Sequence, residues 1–393
     1  MNPNTDFLPF ARPCIGAEEE EVVLKVMRSG WLTTGVETLA FEKEFAEFIG
    51  VKHALAVNSA TSGLFLALDA LKVGKNDTII TSPYTFTSTA ASAMHLGAEV
   101  EFCDTAADSY NLDPAQLEKL LASGKKYKAI IVIHVGGLPC DMDSILALSR
   151  KFGVPVVEDA AHSFPSRLKE GFAGSLGDIG VYSFYATKTI TTGEGGMLVS
   201  NNAELASRVE TMRMHGFDRA AWDRYTSKKA SWRYAVTEAG YKCNLPDILS
   251  AIGRVQLKKA DAFLLERKRI ASLYDEAFRD QPGLSLPPRG ILPEDGHAWH
   301  LYALRIKYSK KMNRDIMIEE LAKAGIGSSV HFIPLHIMPY YAKRYKLSPD
   351  SFPNALAMFE ESVSLPIWQG MGLALAERVA NTVLSIVNKR QTG

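Results

Sequence analysis

Cysteine is scarce and scattered. Cys14, Cys103, Cys140 and Cys243 stand far apart with no CxxC spacing, so neither a disulfide framework nor a zinc site is indicated, and the thiols read as small apolar fillers. Net charge is missing as well. Lys+Arg and Asp+Glu both total 44, which leaves no global field to draw the chain to nucleic acid or to an anionic membrane, although local anion sites stay open. No apolar run reaches membrane-spanning length, and the first six residues carry no basic region leading into an apolar stretch; the expectation is a cytoplasmic protein. What is present is a 393-residue chain with 47% hydrophobic and 22% charged residues, enough for two domains with cores of their own.

From residue 54 onward, short apolar segments alternate with helical ones. Residues 54–57, 78–81, 98–103, 129–133, 154–157, 179–183 and 197–200 read as strands, with helices at 64–71, 88–96, 114–122, 142–152 and 204–212. Strands this uniformly apolar are covered on both faces, so the pattern predicts an α/β fold with a largely parallel sheet flanked by helices. Upstream, 18–29 and 38–48 have helical periodicity, separated by the loop Trp31-Leu32-Thr33-Thr34-Gly35. Trp31 there is either an anchor or, with Thr33, part of a pocket lining. Downstream, 248–273 predicts one long helix, 297–307 a strand, and the residues up to Ala324 a further helix. Composition and period change past Pro282, which implies a smaller α+β domain; the division is placed between 1–265 and 266–393.

One lysine stands between a strand-like aromatic run and a glycine-rich turn, in Tyr182-Ser183-Phe184-Tyr185-Ala186-Thr187-Lys188 and the run from Thr189 to Met197. Its ammonium is either solvated, like most lysines, or brought near a buried polar site by its apolar and small flanks. A buried lysine has a lowered pKa, and the neutral amine is the form that condenses with the aldehyde of pyridoxal phosphate. Ligands of open α/β sheets sit at the carboxyl ends of strands, and three such ends offer partners. Asn58 to Gly63 leaves a strand and opens a helix, suited either to a phosphate or to plain N-capping by Ser59 or Thr61. Asp159 comes just after the strand at 154–157 and either caps a helix or faces a pyridinium nitrogen. Ser183 ends a third strand. The Gly193-Glu194-Gly195-Gly196 turn lacks the GxGxxG spacing of a dinucleotide site.

Together these residues resemble the nucleotide-sugar aminotransferases of the DegT/StrS family, among the fold type I pyridoxal phosphate enzymes. The resemblance runs through Phe10 to Pro13, Ser29-Gly30-Trp31, Pro83 to Phe86, His134 to Gly137, Glu158 to Ser163, Ser183 to Gly196, His215-Gly216, Gly240 to Asp247, His331 and Pro334-Leu335-His336. It implies a large domain with a mostly parallel mixed sheet and a smaller α+β domain. It also implies that Lys188 carries the cofactor, Asp159 partners the ring nitrogen, and Phe86 stacks on the ring. Ala60, Thr61, Ser62 and Ser183 are implied to hold the phosphate, with His162 near the ring. Asn244 matches a residue that reaches the neighbouring subunit's phosphate, implying a homodimer with shared active sites; Lys242 stands where several members have asparagine.

By the same resemblance, L-glutamate is the amino donor and a nucleotide-linked keto sugar the acceptor in a ping-pong reaction, with Lys188 as anchor and general base. The charged and aromatic stretch His215 to Arg233, including Arg219 and Trp222, is either a solvated loop or a binder of the nucleotide. His331 and His336 are expected near the cleft, not as metal ligands. By resemblance, Asp6 to Phe10, Ala221 to Arg224, Gly240 to Asp247 and His297 to His300 favour the branch that aminates a UDP-linked 4-keto-pentose for cell-surface glycan or lipid A, with keto-hexoses as the alternative. Lys188 argues against the dehydratase branch, which has histidine there. Its presence with Asp159 argues against a non-catalytic cofactor-binding regulator.

Overall fold

The computed structural model describes residues 7–218, 234–289, 296–307, 309 and 312–392. Its organising element is a seven-stranded sheet built from β1 (His53–Val57), β2 (Thr78–Thr81), β3 (Glu99–Phe102), β4 (Ala129–Ile133), β5 (Val156–Asp159), β8 (Ile179–Ser183) and β9 (Gly196–Ser200), in the order β1-β9-β8-β5-β4-β2-β3. The neighbours from β8 to β3 are parallel, while β9 runs antiparallel to both β8 and β1. A short hairpin, β6 (Arg167–Leu168) with β7 (Gly171–Phe172), lies between β5 and β8 in the chain.

Side chains alternate between two cores, as the period of a strand requires. Val157, Ile179, Val181 and Leu198 pack on one side with Leu64, Leu66 and Leu68 of α3 (Ala60–Ala70). Ala56, Tyr182, Met197 and Val199 pack on the other with Phe41 and Phe45 of α2 (Val36–Ile49). Burial on both faces is why these strands read as continuous apolar runs. The register aligns Val57, Gly196 and Ser183 in one row, and Ile133, Asp159 and Val181 in another. The carboxyl ends of β1, β8, β5 and β4 therefore open on one edge.

A separate antiparallel sheet, β10 (Leu284–Ser285), β11 (Tyr302–Ile306) and β12 (Ser362–Leu365), packs on the later turns of α9 (Ala260–Phe278), on α10 (Arg314–Lys323) and on α13 (Leu373–Thr392). Two expected elements differ in extent. The long helix is two: α8 (Asp247–Lys258) and α9 meet at Lys259, whose ψ of −4° breaks the ladder, and whose ammonium is held by Glu19 at 2.8 Å. Amphipathic periodicity runs straight through a one-residue break, so sequence pattern does not show it. The strand expected over 297–307 begins only at Tyr302. Trp299 has φ of 53°, and Ala298 and Leu301 instead donate to the carbonyls of Gly137 and Gly136. No helix among the described residues is long and apolar enough to cross a membrane.

Helix α2 starts at Gly35, which has no side chain to cap it. The cap comes from far along the chain. The buried Asp247 carboxylate accepts from Gly35 N at 2.7 Å, Thr38 N at 3.0 Å, Glu37 N at 3.2 Å and the Thr38 hydroxyl at 2.7 Å. Asp247→Ala leaves several buried donors unpaired and is expected to cost about 3 kcal/mol. Chemical denaturation tests this, with Glu47→Ala, which breaks only an exposed pair with Lys43, changing stability by less than about 0.5 kcal/mol as the control.

Candidate active site

A cavity of about 560 Å³ opens at the carboxyl edge of the large sheet. Asp159 closes its floor at the end of β5, 4% exposed. One carboxylate oxygen accepts from the Thr89 hydroxyl at 2.8 Å and the other from Ala161 N at 3.2 Å. Thr89 is in turn 2.8 Å from the Thr85 hydroxyl. Burial lifts the Asp159 carboxyl above its ordinary value, opposed by the Thr89 and Ala161 hydrogen bonds and by the charge of Lys188. The preceding residue braces the floor. Glu158 is bonded to His134 Nε2 at 2.9 Å and accepts from the backbone of Gly174, Leu176 and Gly177.

Lys188 lines the same cavity, on the loop between β8 and β9. Its side chain keeps some exposed surface, as a residue facing a cavity does, yet loss of hydration pushes the amine down from 10.5 to about 8 against the pull of Asp159. The loop is pinned on both sides of Lys188. Lys188 N donates to Tyr185 O at 2.9 Å, and the Thr189 carbonyl accepts from Gln369 Nε2 at 3.0 Å.

The amino end of α3 forms a further wall. Ser59 is its N-cap, accepting from Ser62 N at 3.1 Å with the two hydroxyls 3.0 Å apart. Ser62 is thereby turned to the cap and does not line the cavity, whereas Ala60, Thr61 and Ser183 do. Gly196 lets β9 come this close: a Cβ there would lie 2.9 Å from Ala60 N and 2.7 Å from Tyr182 O.

The opposite wall is aromatic. Phe86, 59% exposed, has its ring 6.2 Å from Phe332, which stacks on His162 at 5.3 Å. His162 accepts from Gly136 N at 3.2 Å through Nδ1 and lies 4.4 Å from the His300 ring. His331 is 2.9 Å from the Ser364 hydroxyl and stacks on Phe10. Burial and the neighbouring Lys188 hold all three imidazoles low, His331 at about 4, so the wall is uncharged at neutral pH.

Other expected site residues lie elsewhere. His336 is buried away from the cavity, bonded to Pro349 O at 3.0 Å and beside Phe352; its position in the Pro-Leu-His run carries no information about which way it turns. Trp31 donates to Thr34 O at 3.2 Å, and Thr33 O accepts from Asp247 N. Asn244 donates to the Thr34 hydroxyl at 2.7 Å and accepts from Lys242. Trp31, Thr33 and Asn244 do not line this cavity. Arg219 and Trp222 lie outside the described residues. Conversely, Thr89 and Phe332 carry no sequence signal that marks them as site residues, while Glu194 of the glycine-rich turn lines the cavity. Thr89 looks like any polar residue on a helix, and only the folding of the chain brings it to Asp159.

Similarity to known proteins agrees with this geometry. Residues 13–384 match the model of the DegT/DnrJ/EryC1/StrS aminotransferase family. The chain belongs to that family. It is 44% identical over 384 residues to the spore coat polysaccharide biosynthesis protein SpsC of Bacillus subtilis, covering 97% of each chain. Among solved structures, PseC of Helicobacter pylori, an aminotransferase involved in pseudoaminic acid biosynthesis, matches with a TM-score of 0.88 and 30% identity, over 98% of this chain and all of that one. Spr1654 of Streptococcus pneumoniae, solved in a PLP form, matches with a TM-score of 0.88 and 29% identity, over 98% and 99%. The protein is a transferase that uses pyridoxal phosphate. The residues present fit that group: a buried carboxylate with spare acceptor capacity, a desolvated lysine, an uncovered aromatic ring and the first residues of α3, Ala60 and Thr61, share one cavity.

In cofactor-free protein, the rate at which Lys188 reacts with an added aldehyde is expected to rise with pH around a midpoint of about 8, not 10.5. Peptide mapping after borohydride reduction measures it. Linkage gives the sign for stability: a lysine with a lowered folded pKa disfavours folding below about pH 8, and that penalty fades as pH rises toward 10.5.

Proposed function

We propose that this enzyme transfers the amino group of L-glutamate to a keto sugar carried on a nucleotide. The observation that carries the reading is the placement of Lys188 and Asp159 in one cavity with the amino end of α3. When bound, pyridoxal phosphate supplies an aldehyde for attachment and a ring that accepts electron density from the carbon being deprotonated. Thr61, Ala60 and Ser183 receive the phosphate at the helix amino end. Asp159 accepts the N–H of the ring nitrogen and keeps that nitrogen charged. Phe86 covers the ring, and His162 flanks it as a neutral imidazole. With the cofactor bound, Lys188 would anchor it and, as a neutral amine, would serve as the base that takes and returns the proton of the donor carbon. The uncharged wall of His300, His331 and Phe332 borders the substrate side and excludes water from that transfer.

The sites are read as shared in a cytoplasmic homodimer of two-domain subunits divided near residues 265 and 266. Asn244, with Trp31 and Thr33 close by, lies off the subunit's own cavity, where a residue serving the partner's site belongs. Of the acceptors, a UDP-linked 4-keto-pentose is favoured on the sequence segments at 6–10, 221–224, 240–247 and 297–300, giving an amino sugar for cell-surface glycan or lipid A. The second reading is a nucleotide-linked keto-hexose; of the similar proteins, SpsC is named for spore coat polysaccharide and PseC for pseudoaminic acid, neither for lipid A.

Glutamate-dependent formation of oxoglutarate with a panel of keto pentoses and keto hexoses on UDP, dTDP and GDP separates these readings. Amination of none of them overturns the proposal. Lys188→Ala is expected to lose the borohydride-sensitive visible band of the cofactor and all turnover, read by absorbance and oxoglutarate release. Mixing Lys188→Ala with Asn244→Ala subunits is expected to restore about a quarter of wild-type sites at most, because only one site of each mixed dimer has both residues intact. Recovery no greater than the sum of the two variants assayed separately counts against shared sites.

A further inference from the structure

A guanidinium with almost no exposed surface lies beneath the cavity. Arg267, on α9, is 1% exposed, and every acceptor it reaches through a described bond is neutral. Its Nε donates to Gln369 Oε1 at 3.0 Å, and its Nη1 donates to the carbonyls of Trp299 at 3.0 Å, His300 at 3.3 Å and Ile367 at 3.0 Å. Carbonyl dipoles compensate a buried charge less well than a carboxylate does, and burial lowers this guanidinium to about 10. Such a group is costly to hold, yet its planar fork fixes four acceptors at once, which an apolar side chain of that size does not.

The acceptors converge on the active site from two sides. Gln369, itself 1% exposed, passes the contact on: its Nε2 donates to the carbonyl of Thr189, the residue after Lys188. Two positions further on, Thr191 N is held by Gln256 Oε1 at 3.3 Å. On the other side, His300 and Ile367 both line the cavity. The next turns of α9 carry Ile270, Tyr274 and Phe278 into the core of the second sheet. Arg267 thus connects the second core, the lysine loop and the wall facing it.

We propose that Arg267 is a positioning residue for transamination: through Gln369 it fixes the main chain beside Lys188, and through the carbonyls of His300 and Ile367 it sets the spacing of the facing wall. The inference rests on Lys188 carrying the cofactor. A shift of about an ångström at a reacting group far from the substituted residue is enough to slow a reaction strongly.

The test uses Arg267→Lys, Arg267→Met, Gln369→Leu and the Arg267→Lys/Gln369→Leu double variant. Three quantities are read: the rate at which pyridoxal phosphate added to cofactor-free protein becomes reducible onto Lys188, kcat and KM for both substrates, and the thermal midpoint. The expected result is a fall of about tenfold in both the attachment rate and kcat, with KM changed by less than about twofold. The double variant is expected to be no slower than the worse single one, because both changes break one relay. A merely structural role lowers the thermal midpoint and leaves attachment and kcat at wild-type values in Gln369→Leu, which overturns the proposal, as does a double variant whose losses multiply. Should Arg267→Met fail to fold, Gln369→Leu decides alone. If wild-type protein forms no adduct at Lys188, the functional reading itself fails; if it does and every variant equals it, only the role of Arg267 fails.

Discussion

An amine and a carboxylate withdrawn from water within one cavity are driven in opposite directions by the same cause. Loss of hydration moves Lys188 toward its neutral form and Asp159 toward its protonated form. Transamination needs the first outcome and not the second. The structure opposes the second by giving Asp159 the Thr89 hydroxyl and the Ala161 N–H, while Lys188 is offered no carboxylate other than Asp159 among the charges that move it. Much of the surrounding architecture serves that asymmetry. The register that sets Asp159 beside Ile133 and Val181 brings helix α4 (Thr87–His95) and its Thr89 over the strand end. The Glu158 carboxylate faces the other way, tied to His134 and to three backbone N–H groups of the 174–177 turn.

The cavity has two halves of different origin. The half that holds charge comes from strand ends and the α3 amino end of the large sheet. The half without charge, with His300, His331, Phe332 and Ile367, belongs to segments that run into the second sheet. The first half is constrained by close backbone packing, since Gly196 has no room for a side chain. The second is made of side chains in contact with one another and is less constrained in shape.

Much of this was legible in the sequence because it depended on local pattern. Seven strands were visible as apolar runs bounded by turns, and Lys188, Asp159, Thr61 and Ser183 could be found by inspecting the residues at the end of each strand. The features that were not legible depended on contacts across long separations. Asp247 caps a helix some two hundred residues earlier, Thr89 meets Asp159 across 70 residues, and Gln369 reaches Thr189 across 180. No periodicity announces such pairs. The break at Lys259 and the turn at Trp299 were hidden for a different reason: each alters backbone dihedrals at one residue without changing the polarity pattern on either side. Ser62 shows the limit of motif reading, since its hydroxyl is engaged by the cap beside it while its neighbours face the cavity.

Strand β9 runs against both of its neighbours, and its residues alternate between the two cores: Leu198 packs toward α3, while Met197 and Val199 pack toward the phenylalanines of α2. One residue inserted in the turn at Gly193–Gly195 and carried into the strand would shift every residue of β9 by one place, turning Leu198 toward α2 and turning Met197 and Val199 toward α3. Two cores would be mispacked by a single codon. A change of length in that turn would be felt in both cores at once, which ties the distance along the chain from Lys188 to the sheet to the packing of β9.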